Sequence, residues 1–145
     1  MQWKDEYSLG IAEIDAQHRE LLSLFGRISQ GIVAGASWSD LHYRVSELRQ
    51  FADFHFAFEE GLMRMFGFPG VQDHTHAHRA LFAKLDDMER RSVTSNVERE
   101  LLQFLVNWLI QHIQADDRDY ALHIFSGAQL VRSQPTSLAS AKVVD

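Results

Sequence analysis

The sequence predicts an all-α fold: an antiparallel up-and-down four-helix bundle with an N-terminal arm and a short C-terminal extension. Three observations predict it. Four segments repeat their apolar residues with the 3.6-residue period of a helix. Short polar or glycine-containing breaks separate them, as in a bundle whose neighbours run antiparallel. No stretch shows sustained period-two alternation or an Asn-Gly hairpin turn, so strand signals are absent.

The elements follow in order. Residues 1–14 form an arm whose Trp3, Tyr7, Leu9, Ile11 and Ile14 are expected to pack on the bundle. The first helix, over about 15–34, places His18, Leu21, Leu22, Phe25, Ile28 and Ile32 on one face. Gly31, Gly35 and the Ala-Ser-Trp-Ser that follows break it, and Ser37 with Asp40 caps the next helix. That second helix, over about 38–66, carries Leu41, Val45, Leu48, Ala52, His55, Glu59, Leu62 and Phe66 at alternating steps of four and three. Gly67, Phe68, Pro69 and Gly70 turn the chain. The third helix, over about 71–91, steps through His74, His78, Leu81, Leu85 and Met88. Ser95 and Glu98 read as a capping box for a fourth helix over about 96–124, with a seam of Leu101 or Leu102, Leu105, Trp108 and His112. Residues 1–125 thus make the bundle domain, and 126–145 a tail or one short helix.

Composition narrows the function classes. With 14 Lys plus Arg against 20 Asp plus Glu, the net charge is −6, which argues against nucleic-acid or anionic-membrane partners. No cysteine is present, so disulfides, thiolate metal sites and cysteine nucleophiles are excluded. No run reaches the roughly 20 apolar residues of a membrane helix. The first residues carry charge where a signal peptide needs an apolar stretch, so a cytoplasmic location is expected.

Eight histidines stand out in 145 residues. Five of them, with Glu59, occupy inward seam positions on all four helices, and an acidic cluster follows His112. Left unpaired, each buried polar group costs about 1–3 kcal/mol, and six or seven would cancel a domain's net stability of roughly 5–15 kcal/mol. His55 with Glu59, and His74 with His78, stand one turn apart on one face and form two chelating pairs. A metal centre satisfies the whole set. His76 lies about 200° around the helix from His74 and is expected in solvent, and His42 and His123 are off the polar part of the seam. Five imidazoles and two carboxylates are too many for one ion. Bridging carboxylates and a bridging oxide or hydroxide would let them serve two octahedral ions with one position left open, a donor set that suits iron.

The sequence resembles the hemerythrins, and among them the single-domain bacterial type, from about Trp3 to Tyr120. The resemblance rests on Leu9-Gly10-Ile11 with Ile14-Asp15-Ala16-Gln17-His18, and on His55-Phe56-Ala57-Phe58-Glu59-Glu60 with Met63. It rests further on His74 with His78, and on Trp108-Leu109-Ile110-Gln111-His112 with Asp117 and Tyr120. It implies two irons (Fe2+/Fe3+): His74, His78 and His112 on one, His18 and His55 on the other, Glu59 and Asp117 bridging. It further implies reversible dioxygen binding, the oxygen held as hydroperoxide at the open iron, in a protein that is not an enzyme. Phe25, Phe56, Leu62 and Trp108 are candidate neighbours that exclude water. Ideal helix geometry puts Asp116 on the face of His112 and Asp117 about 140° away. The family spacing selects Asp117, reachable if one residue loops out as a π-bulge. Glu60, one residue off the seam, is expected in solvent. Two other functions compete: a di-iron oxidase, peroxidase or nitric-oxide-handling enzyme on the same centre, and a phosphotransfer or docking bundle using an exposed histidine such as His42. Dioxygen is the only partner implied, and no oligomeric state is.

Overall fold

The computed structural model describes residues 1–133, with side chains described through residue 127. It contains α1 (Ala12–Val33), α2 (Trp38–Met65), α3 (Val71–Ser92), α4 (Glu98–Gln111), a π-helical turn (His112–Asp117) and α5 (Arg118–Ser133), and no strand among the described residues. α1 packs on α2 and α4, α2 on α3, and α3 on α4, closing a four-helix bundle in which α4, the π-turn and α5 form one continuous rod. That rod continues through Ser133, and residues 134–145 of the expected tail lie outside the described residues.

Chain ends and breaks are built from local hydrogen bonds. α1 starts at Ala12, earlier than its apolar pattern, because Asp15 serves its N-terminus. Its carboxylate accepts from Leu9 N at 2.8 Å and from Ser8 Oγ at 2.5 Å. The arm carries a short 3-10 turn, Asp5–Tyr7, and buries Tyr7 and Leu9, while Arg19 lies 4.3 Å over the Trp3 ring. Ser37 Oγ accepts from Asp40 N at 3.2 Å and caps α2 as its spacing predicts. α2 ends in a Schellman turn, with Phe68 N on Met63 O and Gly67 N on Arg64 O; Gly67 takes the positive φ of 64° that the motif needs.

Two details differ from the sequence pattern. Ser95 is not the cap of the last helix: α4 begins after Val97, which is buried, and Ser95 Oγ instead donates to Arg91 O at the end of α3. The Arg91 carbonyl, which also accepts from Thr94 N and Ser95 N, holds that hydroxyl in the last turn of α3 before α4 begins. The α2 seam also drifts. Past Glu59 the inward position passes to Met63, leaving Leu62 half-buried and Phe66 exposed. A straight helix departs by about 20° per heptad from a strict seven-residue repeat, and α2 runs for several heptads.

The core is split into two apolar regions. The larger gathers Leu21, Phe25, Ile28, Leu48, Leu85 and Leu105 with their neighbours; the smaller gathers Leu9, Ile14, Met63 and Tyr120. A polar residue sits between the contributions to the two: His18 between Ile14 and Leu21, Glu59 between Phe56 and Met63, and Asp117 between Ile113 and Tyr120. The candidate site fills that layer.

Candidate metal centre

The structure brings all seven sequence-predicted residues together. His18, His55, Glu59, His74, His78, His112 and Asp117 are each at most 5% exposed. Their donor atoms fall into two overlapping groups: Glu59, His74, His78, His112 and Asp117 in one, His18, His55, Glu59 and Asp117 in the other. The remaining histidines stand apart. His76 and His42 are exposed, and His123 donates from Nε2 to Phe66 O.

The π-helical turn decides which aspartate joins. Its extra residue lets His112 and Asp117 point inward together, while Asp116 remains largely in solvent. Glu59 reaches the same layer from mid-α2, and Tyr120 Oη donates to its Oε1 at 2.7 Å. Burial, with Glu59 beside it, raises the Tyr120 phenol far above its ordinary range, so the proton stays on that oxygen.

The two carboxylates divide their oxygens between the groups. Glu59 Oε1 lies 3.3 Å from His55 Nε2 and 3.6 Å from His18 Nε2, whereas Oε2 lies 3.2 Å from His78 Nε2 and 3.6 Å from His74 Nε2. Asp117 Oδ2 lies 3.1 Å from His18 Nε2, whereas Oδ1 lies 3.1 Å from His74 Nε2 and 3.0 Å from His112 Nε2. Each carboxylate therefore shows one oxygen to each histidine group.

The outer ring nitrogens reveal what the inner ones present. His78 Nδ1 donates to Glu60 Oε1 at 3.0 Å, His112 Nδ1 to Asp116 Oδ2 at 2.9 Å, and His55 Nδ1 to Gln17 Oε1 at 2.7 Å. Carboxylates only accept, so Nδ1 of His78 and of His112 each carries a proton, and Nε2 is the nitrogen that faces the site. Those two Nε2 atoms are 3.0 Å apart. Nitrogens that close need a shared proton or a metal cation between them. His18 Nε2, His74 Nε2, Glu59 Oε2 and both Asp117 oxygens are likewise buried without a directed hydrogen bond. This donor set, all imidazole nitrogen and carboxylate oxygen, fits hard or borderline metal cations.

Glu60 is a correction to its expected place in solvent. It stands behind His78, and Gln17 stands behind His55; neither role shows in a single helix's pattern, because both partners lie on another helix. Asp116 did have a signal, its four-residue step from His112. Phe56 stacks on His78 at 3.8 Å and 8°, and Trp108 on His112 at 4.4 Å and 17°, so these two cover the three-histidine side. Phe25 belongs to the larger apolar region and Leu62 packs on the smaller one.

A family model, the hemerythrin HHE cation binding domain, matches residues 9–122. The chain belongs to the hemerythrin family. A bacteriohemerythrin of Clostridium acetobutylicum is 28% identical over 81% of this chain and 96% of its own. One of Stenotrophomonas maltophilia is 30% identical over 82% of this chain and 78% of its own. A myohemerythrin of Riftia pachyptila is 25% identical over 81% of this chain and 88% of its own. As in the rest of this hemerythrin-family bundle, no helix among the described residues is long and apolar enough to cross a membrane.

Without a cation, protons must hold the layer together. Burial opposes charge on His18, His74 and His112, yet the close Asp117 and Glu59 carboxylates, joined at His112 by Asp116, outweigh it, lifting His18 and His74 to about 9 and His112 to about 10. Burial lowers His55 to about 4. Despite their own burial, Glu59 and Asp117 are held well below the usual carboxylate range by the surrounding histidines. The three raised rings contribute stability that is full below the ordinary imidazole value of 6.5 and lost as pH rises through 9 and 10. His55 acts oppositely, its contribution falling as pH drops from 6.5 toward 4. Thermal melts of the chelated protein should therefore peak near pH 6.5 and decline toward pH 10. The metal-loaded protein should hold its melting temperature over that alkaline range, because the cation replaces those protons.

Proposed function

We propose that the protein binds dioxygen reversibly at a pair of iron ions. His74, His78 and His112 hold one, His18 and His55 the other, and Glu59 and Asp117 bridge them. The observation that carries this reading is the division of each carboxylate, one oxygen toward each histidine group, from 3.0 to 3.6 Å. Relatives named bacteriohemerythrin and myohemerythrin support it. When bound, such a pair supplies electrons and an open coordination position for a small diatomic molecule.

The protein's own residues supply the rest. Three rings on one side and two on the other leave the His18–His55 side with fewer donors, which is where the open position belongs. Tyr120 keeps its proton and fixes Glu59 through Oε1. Phe56 and Trp108 screen the outer faces of His78 and His112 from water. None of the seven residues is more than 5% exposed, which favours a small diatomic ligand over a bulky organic substrate.

Cycling the iron-loaded protein between oxygen and argon tests the proposal. A visible absorbance band that forms with oxygen and disappears without it is the expected result. Rapid autoxidation with turnover of peroxide or nitric oxide would instead identify a di-iron enzyme.

A further inference from the structure

The partners behind the ring nitrogens are unequal. Glu60 and Asp116, both carboxylates, accept from His78 and His112, members of the three-histidine group. In the two-histidine group, His55 donates to the neutral amide of Gln17, and His18 Nδ1 is buried without any partner. Negative charge thus stands behind one half of the site and not the other.

A carboxylate accepting from a ligating imidazole draws its proton outward and makes the ring a stronger electron donor, whereas an amide does so less. Resting on the di-iron reading above, we propose that Glu60 and Asp116 are positioning residues that polarise the pair. They stabilise the higher oxidation state of the ion on His74, His78 and His112, while Gln17 leaves its neighbour, on the side with the open position, poorer in electron density.

The two carboxylates differ in weight. Glu60 is 18% exposed against 49% for Asp116, so solvent screens Asp116 more. Arg64 approaches Glu60 Oε2 at 3.7 Å but is 63% exposed, which limits how far it offsets the charge. Glu60 is therefore the stronger of the two.

The test uses the iron-loaded full chain with Glu60→Gln, Asp116→Asn and Gln17→Glu, reading iron per chain and the reduction potential by spectroelectrochemistry. Glu60→Gln keeps an acceptor for His78 and removes only the charge. It should raise the potential by about 59 mV, the one-electron equivalent of a tenfold loss in ferric over ferrous preference. Asp116→Asn should raise it less, and Gln17→Glu should lower it. Glu60→Gln with full iron and an unmoved potential overturns the inference, as does a Gln17→Glu shift in the same direction as Glu60→Gln. Where Glu60→Gln fails to load iron, the opposite signs of the other two variants decide. A wild-type chain that takes up no iron fails at the di-iron reading itself, whereas a loaded wild type with unmoved variants refutes only the polarisation.

Discussion

Glu59→Ala should empty both halves of the site. Its Oε1 faces His18 and His55 and its Oε2 faces His74 and His78, so a single truncation removes a donor from each half of the site. Removing one partner of a buried charged contact costs about 3–5 kcal/mol, roughly a 10²- to 10⁴-fold loss of metal affinity. Tyr120 would also keep a buried hydroxyl with nothing to receive its proton. Metal analysis after dialysis should find little metal on Glu59→Ala under conditions where the unmodified protein stays loaded. Retention of one ion at full occupancy would mean that Glu59 serves only one half.

Asp117→Ala and Asp116→Ala should differ sharply although the residues are adjacent. Asp117 is fully buried with Oδ2 toward His18 and Oδ1 toward His74 and His112, so its loss should release metal on the same scale as Glu59→Ala. Asp116 touches only the outer nitrogen of His112. Its loss should weaken binding by about 10- to 100-fold, leaving the site loaded when metal is in excess. Equilibrium titration of both variants checks the contrast; full retention in Asp117→Ala with loss in Asp116→Ala would reverse the two roles.

These two aspartates mark where the sequence stops being legible. The seam positions of His18, His55, Glu59, His74, His78 and His112 can be read from helical spacing, because polar residues at inward positions violate the pattern that surrounds them. The four-helix fold follows from the same periodicity. Asp117 cannot be read that way: ideal geometry selects Asp116, and only the π-helical turn at His112–Asp117 brings the fifth residue inward. Glu60 and Gln17 were illegible for another reason. Their partners, His78 and His55, lie on other helices, and no single-helix period encodes which residues meet across a bundle. Met63 and Ser95 depart for local reasons, the drift of a long straight helix and a competing carbonyl at Arg91.

We propose above that five histidines and two carboxylates hold a pair of irons. Elemental analysis of the purified chain, covering iron, manganese and zinc against protein concentration, tests it most directly. Two irons per chain, both lost in Glu59→Ala, is the predicted result; one zinc per chain, unaffected by that substitution, would contradict it.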